Sequence, residues 1–150
     1  MSMTAFPDRF STLPDEPALQ ATVAPLDEKI DHVHGSPDGR LIVEYGDYEC
    51  PYSRQAFHAI EQVERQLGGN LRFAFRHFPL TGIHRHALAA AAAAEAAARQ
   101  GWFWDMHELL FHRQKALDDA DLLSYAARLG LDVAAFGRDR TSSAVAALAS

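Results

Sequence analysis

The chain contains a single cysteine, and its position favours reactive chemistry. Cys50 stands directly before Pro51, where an apolar strand pattern ends at Gly46 and a helical pattern begins. Proline suits the first position of a helix because its missing N–H would be unpaired there in any case, so the cysteine is predicted at the N-cap. Unpaired N–H groups and the positive end of the helix dipole favour a thiolate over a thiol. Because only the thiolate is a nucleophile or metal ligand, Cys50 is predicted to be a reactive, partly exposed sulfur rather than an inert buried one.

The residues beside the cysteine give it candidate partners. Ser53 follows one helical turn later, and its hydroxyl is able to donate a hydrogen bond to the thiolate. The alternative for Ser53 is an exposed first-turn serine without a role. Asp47 and Glu49 are carboxylates that oppose thiolate formation unless they are solvated, and we expect them to tune reactivity rather than to catalyse. With no second cysteine in the chain, a mixed disulfide at Cys50 must wait for an external thiol such as glutathione.

The histidines give only a weak metal pattern. His84 and His86 are two residues apart and His77 lies upstream. Three imidazoles without an acidic or cysteine partner at fixed spacing are a poor zinc signal, and near a helix start they more readily shape a loop. No metal is therefore predicted, and the expected cofactor is none, apart from glutathione or another low-molecular-weight thiol as co-substrate.

Five blocks of sequence resemble the DsbA-like branch of the thioredoxin superfamily. They occur in the family's order and read YGDYECPY (45–52), FRHFPL (75–80), HRHA (84–87), GWFWDMH (101–107) and LGLD (129–132). More narrowly, they resemble the thioredoxin-like domains fused behind some bacterial sodium/proton antiporters. The resemblance spans roughly 31–140. It implies thiol–disulfide exchange with Cys50 as nucleophile and Ser53 as its hydrogen-bond partner, with substrate contacts expected at Pro51, Tyr52 and Tyr48.

The sequence departs from that family in two places. The family's Cys-x-x-Cys motif reads Cys-Pro-Tyr-Ser over 50–53, so a hydroxyl replaces the second thiol. Ser53 is either natural to a monothiol protein or an engineered replacement of a cysteine, and both readings stay open. No proline follows Pro79, so the family's cis-proline loop, with the two strands and helix around it, has no counterpart.

The hydrophobic pattern predicts an α/β fold. The short apolar run 41–45 is typical of a strand covered on both faces and is predicted at the centre of the sheet. A helix over 52–67, ended by Gly68 and Gly69, leads to a second strand over 71–78, and strand, helix and strand imply a right-handed parallel βαβ unit. A further short strand is expected over 31–35.

Everything after Pro79 is predicted to be helical. The segment 85–100 contains ten alanines, the residue with the best helix propensity. Further helices are expected over 102–114, 119–129, 133–138 and 142–150, the middle two capped by aspartates. The prediction is thus a thioredoxin-like βαβ core with a DsbA-like helical insertion, in which the C-terminal ββα part is lacking.

Composition limits the class of protein. A chain of 150 residues is expected to form one domain, here 31–150, preceded by an extended arm over 1–30. A net charge of -6 argues against a nucleic-acid partner, which needs a basic surface. No apolar run approaches about 18 residues and the first ten residues lack a signal-peptide pattern, so we expect no membrane segment and a cytoplasmic location.

Three functions are compatible with these residues. The leading one is monothiol exchange with protein or low-molecular-weight thiols. The alternatives are a redox-silent thioredoxin-fold binding or sensor domain, and a glutathione-linked transferase or metal-cluster carrier that uses Cys50 as ligand. A small sheet with open edges also predicts a homodimer in which the arm takes part and the alanine-rich helix offers a smooth surface. Its rival is a longer chain that supplies the remaining strands in cis.

Overall fold

A computed structural model describes residues 24–150 of the chain. The described part contains three strands and six α-helices, namely β1 (His32–Gly35), β2 (Arg40–Gly46), α1 (Pro51–Leu67), β3 (Leu71–His77), α2 (Ala87–Ala98), α3 (Phe103–His112), α4 (Asp119–Arg128), α5 (Val133–Asp139) and α6 (Ser143–Ala149). Most of the predicted arm over 1–30 lies outside the described residues. The predicted elements of 31–150 are all present, with ends that shift by one or two residues.

The sheet has the strand order β1-β3-β2. β2 and β3 run parallel, with Val43 opposite Ala74, and α1 connects them, so the predicted βαβ unit is confirmed. β1 adds to the other side of β3 in the antiparallel direction, with Val33 opposite Ala74. β3 is therefore the central strand of this sheet.

The prediction that 41–45 forms the centre of the sheet is wrong. β2 lies at an edge, and Leu41 and Tyr45 are each 49% exposed. Side chains alternate between the two faces of a strand, and only one face of β2 is directed at the aromatic core. Leu41 and Tyr45 share the opposite face, so the apolar run reflects an edge strand rather than a strand covered on both sides.

Local signals define the ends of α1. Pro51 occupies the first turn, and Gly68 ends the helix with φ 53°, in the left-handed region that glycine adopts without steric cost. Phe57 is the buried residue of this helix. Its ring stacks on Phe111 of α3 at 5.0 Å between centroids, so α1 and α3 pack together.

The aromatic core lies between these helices and one face of β3. Phe73 and Phe75 of β3 are buried on that face, and Phe103 and Phe111 of α3 join the same cluster. The core thus connects the βαβ unit to the helical segment that follows it. This packing is what fixes α3 against the turn that carries Cys50.

The alanine-rich helix α2 is internal. Its residues Ala90 to Ala97, including Glu95, are buried, and α2 contacts α3, α4, α5 and α6. Methyl side chains let neighbouring helices approach closely, so this chain itself covers the smooth face. The prediction that α2 offers a surface to a partner is wrong for this reason.

The helices after β3 begin at polar caps. Asp118 and Asp121 form a capping box at α4, Asp132 accepts from Ala135 N–H at α5, and Ser142 accepts from Val145 N–H at α6. No strand follows His77 within residues 24–150, which confirms the missing ββα part for that range. None of the helices in the same range has the length and apolar character needed to cross a membrane.

Candidate functional site

Cys50 lies where the parallel unit turns from β2 into α1. Its backbone is extended (φ -77°, ψ 124°), its carbonyl accepts the N–H of Arg54 at 3.1 Å, and Pro51 follows in the first turn. The predicted N-cap position is thus confirmed. The residue is 9% exposed, so the expectation of a partly exposed sulfur is wrong for this conformation. The side chain makes no capping hydrogen bond to the start of α1.

A glutamine from the helical segment holds this turn in place. Nε2 of Gln114 donates to the carbonyl oxygen of Tyr48 at 2.9 Å and to that of Cys50 at 2.8 Å. Gln114 follows α3, 64 positions after the cysteine. The sequence gives no signal for this contact, because it depends on how α3 packs against α1.

Asp47 organises the backbone before the cysteine. The residue is 3% exposed, and its Oδ1 accepts the N–H of Glu49 at 2.8 Å. Its Oδ2 accepts the N–H of Leu80 at 2.9 Å and lies 2.7 Å from Nδ1 of His84. The carboxylate therefore ties the turn before Cys50 to the loop after β3.

Glu49 is paired with a histidine from the same loop. Its Oε1 lies 2.8 Å from Nδ1 of His86, and its Oε2 accepts the N–H of His86 at 2.7 Å. The hydrogen bond that the His86 ring donates to Glu49 raises the pKa of His86 above its usual range, although partial burial opposes this. His86 thus binds both oxygens of the carboxylate next to Cys50, so Glu49 is not left unpaired beside the sulfur.

Ser53 does not hydrogen-bond to Cys50 in the part of the chain that the structure describes. Its Oγ accepts the N–H of Asp47 at 3.1 Å, which closes the turn across the first helical residues. That bond uses the oxygen as acceptor and leaves the hydroxyl proton available. Donation from Ser53 to a Cys50 thiolate remains a prediction.

Of the three residues predicted to contact substrate, two are exposed and one is buried. Pro51 is exposed and Tyr52 is 76% exposed, so both side chains are available at the surface beside the cysteine. Tyr48 is only 1% exposed, and its hydroxyl lies 3.0 Å from Nδ1 of buried His107. The prediction that Tyr48 contacts substrate is wrong, because the ring belongs to the aromatic core beneath the turn.

Glu44 of β2 carries a buried carboxyl group. The sequence analysis did not single out this residue. It stands six residues before Cys50 on β2, and neither carboxyl oxygen has a hydrogen-bond partner within the described residues. Burial raises its pKa to about 7. A Cβ added to Gly46 would meet Glu44 Oε1 at 3.2 Å, so the carboxyl lies against the end of the strand. The only signal in the sequence is a charged residue inside an apolar strand.

The histidines considered for zinc do not converge. His84 faces Asp47 and His86 faces Glu49, whereas Nε2 of His77 lies 2.8 Å from Oε1 of Glu95 on α2. His84 and His86 thus lie in the loop after β3 and contact the carboxylates of the turn before Cys50. The grouping that does form joins His77 with Glu95 and with a histidine of β1.

A separate groove of about 550 Å³ opens between α1 and α3. Its lining includes Phe57, Ile60 and Glu61 of α1 together with Trp104 and Glu108 of α3. Cys50 does not line it. The groove therefore does not bring a ligand directly to the sulfur.

Comparisons with known proteins point to the same fold as the structure. The sequence profile of the DSBA-like thioredoxin domain matches residues 41–150, which covers the βαβ unit and all the helices after it. The chain belongs to the DsbA-like thioredoxin family. This confirms the fold class and the family resemblance drawn from the five blocks.

The relatives of this DsbA-like domain include much longer proteins. It is 43% identical over 127 residues to Na(+)/H(+) antiporter NhaA 1 of Mycobacterium sp. (strain KMS), which is 84% of this chain and 21% of the relative. It is 48% identical over 115 residues to NhaA 1 of Salinispora arenicola, 76% of this chain and 18% of the relative. The chain therefore spans about a fifth of the length of these curated relatives.

Solved structures of the DsbA-like fold are also similar. A thioredoxin-like oxidoreductase from Silicibacter pomeroyi superimposes with a TM-score of 0.69 at 30% identity, over 79% of this chain and 68% of that one. BdbD from Bacillus subtilis gives a TM-score of 0.66 at 24% identity, over 81% of this chain and 71% of that one, a likeness of fold alone. The DsbA-like domain thus retains the family's architecture around a site with one thiol.

Proposed function

We propose that this domain carries out thiol–disulfide exchange through Cys50 alone. The observation that carries the proposal is the position of the sulfur, at the N-cap of α1 with no capping hydrogen bond of its own. A helix N-terminus stabilises the thiolate, which is the attacking species. Membership of the DsbA-like thioredoxin family supports the same chemistry.

The exchange requires two steps that conserve electrons. The Cys50 thiolate attacks one sulfur of a substrate disulfide, the S–S bond breaks, and the other sulfur leaves as a thiolate. An external thiolate, from glutathione or from a protein, then attacks the mixed disulfide. A new disulfide forms on the substrate side and the Cys50 thiolate is restored. Ser53 has no part in resolving the intermediate, because a hydroxyl does not replace a thiolate in this reaction.

The surroundings of Cys50 suit an exposed disulfide as substrate. Tyr52 and Pro51 present surface beside the sulfur, and Tyr52 is the more exposed of the two. Nδ1 of His86 lies 2.8 Å from Oε1 of Glu49, and when this imidazole is protonated an incoming thiolate meets less repulsion than the two acidic residues alone would cause. The substrates proposed are therefore protein disulfides and low-molecular-weight disulfides.

The test is reduction of insulin with glutathione as the external thiol. The wild-type chain should turn over. With oxidised glutathione as the disulfide substrate, the Cys50 thiolate displaces one glutathione thiolate, and intact mass spectrometry should find one glutathione adduct that Cys50→Ser removes. If the chain shows no turnover and no adduct, and Cys50 is alkylated like a free cysteine, the result would instead support a redox-silent binding or sensor domain. A visible absorbance band that depends on Cys50 would support the metal-cluster alternative.

We also propose that the domain works in the cytoplasm. A single cysteine suits a reducing compartment, where structural disulfides are rare. A test is the redox state of Cys50 in cells, trapped by acid quenching and alkylation. A sulfur found reduced and freely alkylated would agree with this location, and one found fully oxidised would contradict it.

The predicted homodimer also remains a proposal. Within the described residues, β2 pairs on one side only, and Leu41 and Tyr45 on it are half exposed. Unpaired strand edges with apolar neighbours are common sites of association. Light scattering should find a dimer that Leu41→Lys disrupts, while the matched control Leu148→Lys, at an exposed leucine of α6, leaves it intact. A monomer at micromolar concentration would contradict the dimer. If the arm over 1–30 is then protected from proteolysis, the arm alone covers the edge, and otherwise a longer chain supplies the strands.

A further inference from the structure

Three side chains from separate elements meet at the covered face of the sheet. Nε2 of His32 on β1 lies 2.6 Å from Oε1 of Glu95, and Nε2 of His77 on β3 lies 2.8 Å from the same oxygen. His32 is opposite Phe75, two residues before His77, so both imidazoles leave the sheet on the same face. Glu95 reaches them from the middle of α2.

The environment of this cluster is largely apolar. Only 3% of the His77 side chain and 5% of the Glu95 side chain are exposed, against 19% for His32. The ring of Phe103 stacks on that of His32 at 3.4 Å between centroids. A carboxylate placed in such a shell needs compensating partners, and the cluster has one side, at His32, that is open to solvent.

The donor set matches one that binds zinc. Two imidazole nitrogens and one carboxylate oxygen form the three-ligand sites that leave a fourth position for water. These three atoms lie within 4.8 Å of one another. Imidazole ligands favour zinc over magnesium or calcium, which prefer sites made of oxygen atoms.

We propose that His32, His77 and Glu95 form a zinc-binding site between the sheet and α2. In a tetrahedral site with bonds near 2.0 Å the ligand atoms stand about 3.3 Å apart. The contacts of 2.6 and 2.8 Å therefore have to lengthen by about half an ångström as the ion enters. Rotation of the partly exposed His32 side chain provides part of this lengthening, and water reaches the fourth position from the exposed side of His32.

The tautomers of the histidines limit the affinity. Zinc takes the lone pair of Nε2, so the proton of each neutral ring moves to Nδ1. Nδ1 of His77 is buried and has no hydrogen-bond partner within residues 24–150. Because such outer partners change metal affinity by about 10- to 100-fold, the site should bind zinc in the micromolar range rather than more tightly.

The experiment is a zinc titration of the full 150-residue chain by calorimetry, repeated with Co²⁺ followed by visible absorbance. One ion should bind per chain, and His32→Gln and Glu95→Gln should each weaken binding about tenfold or more. His34→Gln is the matched control, since His34 lies on the same strand and faces Glu64 at 3.0 Å without a third ligand. That variant should bind like the wild type.

Several results would overturn the proposal. If the wild-type chain binds no zinc at about 100 µM, the site does not exist, because this concentration is well above the micromolar dissociation constant expected for the site. Binding that His32→Gln leaves unchanged would place the ion elsewhere, as would a thiolate–cobalt charge-transfer band that Cys50→Ser removes. If Glu95→Gln does not fold by circular dichroism, the more peripheral His32→Gln decides the matter alone. Neither insulin reduction nor the glutathione adduct enters this test, so it stands apart from the function proposed for Cys50.

Discussion

Nδ1 of His84 lies 2.7 Å from Oδ2 of Asp47, three residues before the cysteine. The same oxygen accepts the N–H of Leu80, and the other carboxylate oxygen accepts the N–H of Glu49. Asp47 is buried, so protein groups rather than water satisfy its carboxylate. The loop between β3 and α2 is thus part of the framework that holds the Cys50 turn.

The first prediction concerns this link. His84→Ala removes one partner of a buried carboxylate and should lower the free energy of unfolding by about 1–3 kcal/mol. Urea denaturation measures the change. His58→Ala is the control, because His58 pairs with Glu61 on the surface of α1 and should cost less than about 0.5 kcal/mol. Equal losses in the two variants would show that the His84 contact contributes no more than a surface pair.

A second prediction concerns the reactivity of the cysteine. At about pH 7, iodoacetamide should alkylate Cys50 at least several-fold faster than it alkylates a free-cysteine peptide. The physical reason is the N-cap position of Cys50 on α1. A free-cysteine peptide measured in parallel provides the reference. A rate no faster than that of the peptide would remove the catalytic hypothesis.

Restoring a second thiol gives the third prediction. Ser53 stands one turn after Cys50, the position of the second cysteine in the family's motif. Ser53→Cys should form an internal disulfide under oxidant and increase insulin reduction, because a resolving thiol then competes with external ones. Ser53→Ala is the control, which loses the bond to Asp47 N–H without gaining a thiol. If Ser53→Cys stays reduced under oxidant, the site lacks the geometry of the family.

Elements with strong local signals could be predicted from the sequence. Pro51 and Gly68 gave both ends of α1, and Asp118 and Asp132 gave the starts of α4 and α5. The βαβ unit followed from the order of strand, helix and strand. Such features depend on residues that are neighbours in the chain, so periodicity and capping are sufficient to find them.

The missed features depend on contacts between distant residues. β1 occupies the far side of β3 and so makes β2 an edge strand, a pairing that no local pattern specifies. Gln114 reaches Cys50 across 64 positions, and Glu95 reaches His32 across 63. From its place in the sequence, two residues before Cys50, Tyr48 is expected to contact substrate, yet the packing of α3 buries it. Tertiary packing therefore decided which predicted site residues are accessible.

The last prediction concerns Glu44, whose burial raises its pKa from the ordinary 4.5 to about 7. The folded chain holds this proton more tightly than the unfolded chain, so protonation contributes stability that is fully present below about pH 4.5 and is lost as the pH rises through about 7. Glu44→Gln keeps the shape of the side chain and remains neutral, so it should be more stable than wild type by on the order of 2 kcal/mol at about pH 8 and nearly equal at about pH 5. Urea denaturation at several pH values measures the difference. The control Glu108→Gln, on the exposed face of α3, should keep the wild-type dependence on pH. If Glu44→Gln also keeps the wild-type dependence of stability on pH, the carboxyl of Glu44 is charged and solvated in the folded chain and is not a buried acid.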